Sequence, residues 1–186
     1  MGGCVLTAVA RPPGSLATMP HLVEPTTLVR ESFIAAARDF RNEGWLPEFP
    51  VDEVAADFAG YVRRVLADKQ SWDVPTSTLW YIDGVTYLGT VIIRHRLTPR
   101  LTRRGGQIGY QVAPRHRRRG HATAMLAAAL VYCRDTLEVT RVLLTCAESN
   151  TASRRVIEAN GAVLENTLDG ECRYWIAIPE TRHQAE

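Results

Sequence analysis

Apolar residues along this chain change spacing twice, and the changes separate helical from extended stretches. Val29, Phe33, Ala36, Ala37 and Phe40 recur at three- and four-residue intervals after Pro25 and Thr27, which predicts an amphipathic helix. Gly44, Pro47 and Pro50 break it with a loop that also carries Trp45. Val54, Phe58, Tyr61, Val62 and Val65 predict a second helix, with Asp52 near its start. Gln70–Pro75 reads as loop, and the period then drops to that of strands. Thr78–Ile82 and Val85–Arg96 are strand-like and joined by Asp83-Gly84, a hairpin turn. A polar loop with Pro99 and Gly105-Gly106 leads to a strand over Gln107–Val112, stopped by Pro114.

Thr123–Leu137 returns to helical spacing, and Val142–Cys146 is an apolar run short enough to be a buried strand. Ala152–Asn160 predicts a short helix closed by Gly161. Val163–Leu168 and Cys172–Ile178, separated by Asp169-Gly170, predict a last hairpin. The order is α-α-β-β-β-α-β-α-β-β. Alternating elements around one core imply an α/β protein with a mixed sheet and helices on its faces. Residues 19–180 form the expected domain. Residues 1–18, with Pro12, Pro13 and Gly14, and residues 181–186 are expected to be tails.

Composition narrows the class. Hydrophobic residues make up 46% and charged residues 23% of 186, the balance of a water-soluble domain that needs neither disulfide nor metal to fold. No apolar run approaches the roughly 20 residues of a membrane span. Cys4, Cys133, Cys146 and Cys172 form no CxxC pair and no metal-ligand spacing with histidine. The expectation is a cytoplasmic protein with free thiols and no metal. A single lysine, Lys69, among 22 basic residues suggests a GC-rich, bacterial source.

Net charge is +2, but Arg115, Arg117, Arg118 and Arg119 stand within five residues. Without them, 18 basic side chains face 20 acidic ones. A cluster this local suits a small anionic ligand better than a nucleic-acid surface. The patch also lacks the interleaved aromatics of single-strand binders.

The stretch Ile108–Met125 runs strand, Pro114, basic loop, Gly120-His121-Ala122, helix. A helix start offers unpaired N–H groups and the positive end of the dipole. Small residues there let backbone approach a phosphate, and arginines supply further donors. Arg117-x-x-Gly120-x-Ala122 resembles the (Gln/Arg)-x-x-Gly-x-(Gly/Ala) motif of GNAT acetyltransferases. Val112-Ala113-Pro114 resembles the end of their fourth strand. Asn150-Thr151-Ala152-Ser153 with Asn160-Gly161 resembles the helix after their fifth. The likeness covers about residues 25–178. It is closest to uncharacterised bacterial predicted acetyltransferases with Gly105-Gly106-Gln107-Ile108-Gly109-Tyr110 and Tyr174-Trp175-Ile176.

The resemblance implies the GNAT fold, acetyl-CoA as co-substrate, and direct attack of an amine on the thioester. Gln111 and Val112 would pair with the pantetheine arm, and the Val112 N–H would polarise the thioester carbonyl. Arg117, Arg118, Arg119, Gly120, His121, Ala122 and Thr123 would hold the pyrophosphate, with Asn150 and Ser153 near the pantetheine. One departure is Ile157, which stands where many relatives have a tyrosine acid; Tyr110 and Ser153 are the possible substitutes. His95 and Glu148 are the candidate bases. Arg94, His95 and Arg96 are alternatively a seat for a substrate carboxylate. The acceptor is an amine-bearing small molecule or peptide, with no nucleic acid or membrane partner. The final strand, Tyr174–Ile178, leaves room for a homodimer. The rival reading is a degenerate domain that senses acyl-CoA without turnover.

Overall fold

A computed structural model describes residues 19–71 and 73–179. The expected tails, Cys4 and Trp72 lie outside them. Strand β1 (His21–Val23) precedes a short 3₁₀ turn and helix α1 (Arg30–Asn42). Helices α2 (Val51–Ala56) and α3 (Phe58–Ala67) follow. Next come β2 (Gln70–Ser71), the long hairpin of β3 (Val74–Asp83) and β4 (Thr86–Arg94), helix α4 (Pro99–Arg103) and β5 (Ile108–Val112). A 3₁₀ turn at Pro114–His116 leads to α5 (His121–Leu137), β6 (Arg141–Ala147), α6 (Thr151–Ala159) and the hairpin of β7 (Val163–Leu168) and β8 (Glu171–Ala177).

Several expectations need correcting. The second helix is two, because Asp57 leaves helical geometry at φ −129° and ψ 66°. Its carboxylate then caps the new helix by accepting from Gly60 N at 2.8 Å. The stretch read as loop from Gln70 contains β2 and the start of β3, and the polar loop after β4 contains α4. That helix is capped by Thr98, whose hydroxyl accepts from Leu101 N at 3.2 Å, with Pro99 in its first turn. α5 starts at His121, two residues before the expected Thr123.

The strands form two antiparallel sheets. One runs β1-β3-β4-β5 with β2 beside β3, and the other runs β6-β8-β7. Alternation along β3 and β4 divides the core in two. Leu79, Tyr81, Val91 and Ile93 pack with Met125, Leu126 and Ala129 of α5. Trp80, Ile82 and Tyr87 pack on the other face with Phe33, Phe40 and Phe58 of the first helices. No helix among the described residues is long and apolar enough to cross a membrane.

Candidate active site

The site arises where the two sheets part. Gln107 N donates to Leu143 O at 2.7 Å, Leu143 N donates to Gln107 Oε1 at 3.1 Å, and Gly105 N donates to Thr145 Oγ1 at 2.8 Å. These bonds pin the start of β5 to the middle of β6. Only glycine fits beside them: at Gly106, with φ +60°, a Cβ would lie 2.5 Å from Leu143 O. Beyond this clasp β5 is an edge strand. Arg94 N donates to Gln107 O and Ala113 N to Leu88 O. By the antiparallel alternation, the backbone groups of Tyr110 and Val112 therefore point away from β4, off the free edge. A cleft of about 400 Å³ opens there, lined by Tyr110, Gln111, Val112, Gly120, Asn150 and Ser153 among others.

The N-terminus of α5 faces the same cleft. Gly120 caps it at φ +81°, and the first intrahelical bond is Ala124 N to Gly120 O at 3.1 Å. The N–H groups of His121, Ala122 and Thr123 thus precede the hydrogen-bond ladder, and all three residues line the cleft. The helix has 17 residues, long enough to present a full positive dipole end.

The four clustered arginines do not act alike. Arg115 reaches Asp39 with Nη2 at 2.9 Å, and Arg117 reaches Glu43 at 2.8 Å. Arg117 also donates from Nε to Val112 O at 3.2 Å and lies 5.7 Å from the Phe40 ring centroid. These two guanidiniums fasten the loop to α1. Arg118, at φ +60°, lines the cleft, whereas the exposed Arg119 does not. Glu43 and Asp39 carried no sequence signal for this role, since they lie more than 70 residues away.

Two hydroxyls meet in the cleft. Tyr110 Oη and Ser153 Oγ lie 2.9 Å apart, joining β5 to α6. Burial pushes the Tyr110 phenol up to about 12, against a smaller opposing effect from the Ser153 hydrogen bond. Asn150 caps α6, its Oδ1 accepting from Ser153 N at 3.0 Å. Ile157 is buried at 1% exposure in the core beneath.

A second cavity, about 190 Å³, lies on the α1 side of the sheet. Phe33, Phe40, Phe49, Tyr61, Trp80 and Tyr87 are the aromatic part of its wall. Phe33 stacks on Trp80 with centroids 4.8 Å apart. Tyr87 Oη lies 2.6 Å from Thr90 Oγ1. Gln111 lines both cavities, and its Oε1 accepts from Trp45 Nε1 at 3.2 Å. Neither Tyr87 nor Thr90 was singled out from the sequence. The density of aromatic residues between Phe33 and Tyr87 was the available signal.

The acetyltransferase (GNAT) domain model matches residues 25–163. The chain belongs to the GNAT acetyltransferase family. No curated protein sequence matches it, but solved structures share its fold. The microcin C7 self-immunity acetyltransferase MccE, in complex with acetyl-CoA and AMP, is 15% identical, with a TM-score of 0.60 over 84% of this chain and 91% of that one. The Campylobacter jejuni N-acetyltransferase PseH, in complex with acetyl coenzyme A, is 10% identical, with a TM-score of 0.58 over 87% and 100%. Spermidine N-acetyltransferase from Vibrio cholerae, in complex with CoA and spermine, is 18% identical, with a TM-score of 0.58 over 86% and 95%.

The acetyltransferase frame sorts the remaining candidates by position. Gln111, Val112, Arg117, Arg118, Gly120, His121, Ala122, Thr123, Asn150 and Ser153 line the cleft. The candidate bases do not. His95 continues β4 beyond Arg94, toward the clasped end of β5 rather than the Val112 end. Its Nε2 lies 2.9 Å from Ser77 Oγ, which lies 3.0 Å from Tyr132 Oη of α5. Burial lowers its pKa. Glu148 is exposed after β6, its N–H donating to Gly170 O at 2.8 Å. His116 does line the cleft, and its pKa is lowered by burial and then by Arg119, His121 and Arg115.

Proposed function

We propose that the protein transfers the acetyl group of acetyl-CoA directly to a primary amine, binding acetyl-CoA in the cleft bounded by β5, the start of α5 and α6. The observation that carries this reading is the pairing of a free strand edge with a helix N-terminus across one cleft. An edge strand can pair with the amides of a pantetheine arm. The N–H groups at the start of α5 suit a pyrophosphate. Arg118 is the arginine left to add charge, because Arg115 and Arg117 are engaged by Asp39 and Glu43 and Arg119 does not line the cleft.

In this reading the Val112 N–H, on the free edge, donates to the thioester oxygen as charge develops there. The acceptor amine approaches from the second cavity, past Gln111. Tyr110 supplies a proton to the departing thiolate, and Ser153 orients its hydroxyl. A phenol held near 12 stays protonated throughout the neutral range, as a proton donor must. Asn150 positions α6 by capping it. His95 and Glu148 serve structure and solvent. A cytoplasmic setting, where thiols stay reduced, suits the three buried free cysteines Cys133, Cys146 and Cys172.

Calorimetric titration with acetyl-CoA tests the binding half. The expected result is a micromolar Kd, about −8 kcal/mol, with a raised melting temperature. No heat and no thermal shift at millimolar acetyl-CoA would defeat the reading.

A further inference from the structure

We propose that the second cavity selects a small amine carried on an apolar, preferably aromatic, body and discriminates against polyamines. This inference rests on the acetyltransferase reading above and names the acceptor class for that site. Among the described residues lining the cavity, none is charged. Its polar contributions are neutral: Thr78, Thr90, Gln111 and the hydroxyls of Tyr61 and Tyr87. A polyamine brings a second ammonium that must be desolvated without a carboxylate to meet it, which is costly. An apolar body instead replaces water on the half-buried Phe49, Tyr61, Val65 and Ile92, over the buried Phe33, Trp80 and Tyr87, and gains from leaving solvent.

The surroundings extend the argument outward. Tyr61, Val65, Thr78 and Ile92 also line an adjoining open groove with Arg64, Asp68 and Gln70 on its rim. The rim thus offers one charge of each sign. Asp68 Oδ1 already accepts from Gln70 N at 3.2 Å, and Arg64 lies 3.9 Å from Asp57. Neither charge is set up to hold a chain of ammonium groups. At the inner end Gln111 joins this cavity to the cleft. An amine seated among the rings therefore has its nitrogen beside the residue preceding Val112.

The same apolar wall accounts for a missing base. No carboxylate or histidine lines the cavity among the described residues. Desolvation itself disfavours the ammonium and lowers the amine pKa, so the acceptor arrives as the neutral nucleophile. Its nitrogen lone pair forms the new C–N bond at the thioester carbonyl, and the C–S bond breaks. Tyr110 protonates the leaving thiolate and regains the surplus amine proton, giving the acetamide and CoA with no other reactant.

The test compares kcat/KM for 2-phenylethylamine, spermidine and a short peptide with a free N-terminal serine, reading CoA thiol release. Acetyl-CoA calorimetry runs alongside. The expected result is at least tenfold preference for 2-phenylethylamine over both others. In the folded Ile92→Glu variant, a carboxylate on the half-buried wall should cut that preference at least tenfold. Its acetyl-CoA Kd should stay within twofold of wild type. Faster turnover of spermidine or peptide would overturn the acceptor class. So would no turnover of 2-phenylethylamine by protein that binds acetyl-CoA, or an unchanged preference in Ile92→Glu. Failure to bind acetyl-CoA at all would instead overturn the acetyltransferase site itself.

Discussion

The Tyr110 hydroxyl on β5 meets the Ser153 hydroxyl on α6 at 2.9 Å, within the cleft bounded by β5, the start of α5 and α6. Ile157, one turn further along α6, is sealed in the core. Of the α6 residues that line the cleft, Ala152, Ser153 and Val156, Ser153 alone carries a hydroxyl. Tyr110→Phe keeps the packing and removes the donor. The expected outcome is a fall in kcat of about tenfold, with acetyl-CoA Kd within twofold of wild type. Ser153→Ala should give a smaller fall in kcat. Unchanged kcat in both variants under conditions where chemistry limits turnover would remove the pair from the mechanism.

Gly120 and Arg118 separate backbone from side-chain contributions to phosphate binding. A Cβ at Gly120 meets no protein atom within 4 Å, but the residue sits at φ +81°. Gly120→Val therefore strains the loop by about 1–2 kcal/mol, and a branched side chain there hinders a ligand from approaching the helix start. At least a hundredfold loss of acetyl-CoA affinity is expected in a protein that still folds. Arg118→Ala should cost less than tenfold and lose its effect as salt rises. Calorimetry on both variants checks the order; the reverse order would mean that side-chain charge, not backbone, holds the phosphates.

His95 yields a stability prediction with a defined sign. Burial lowers its pKa below about 6.5, the value expected in the unfolded chain. As pH falls through that value the unfolded chain takes up a proton that the native state resists, so stability falls on the acid side. His116 contributes in the same direction. Melting curves from pH 7.5 to 5 should show a declining Tm, with a shallower decline in His95→Gln. Acetyl transfer in that variant should keep the wild-type pH profile. A changed rate profile would return His95 to the chemistry.

Local features were readable from the chain alone. The strand, basic loop and helix from Ile108 to Thr123 are specified by adjacent residues, and the hairpins by Asp83-Gly84 and Asp169-Gly170. What escaped depends on distant partners or on one residue overriding a pattern. β1 is three residues long and exists by pairing His21–Val23 with Trp80–Ile82. The apolar spacing from Val51 to Leu66 is continuous, yet Asp57 breaks it. The basic cluster reads as an anion site, with Arg117 among its ligands, because nothing near Arg115 or Arg117 announces Asp39 and Glu43. α4 is different: Thr98-Pro99 is a readable helix start that the surrounding polarity masked.

The central claim is that one cleft brings acetyl-CoA to an amine entering from the aromatic cavity. Its most direct test uses acetyl-CoA carrying a labelled acetyl group, incubated with the protein and 2-phenylethylamine, followed by separation of the products. The expected result is label on the amine nitrogen in equal amount to the CoA released, and none in folded Gly120→Val at acetyl-CoA concentrations that serve the wild type. Tight acetyl-CoA binding with no label transferred to this or any other amine would contradict the account and leave an acyl-CoA sensor in its place.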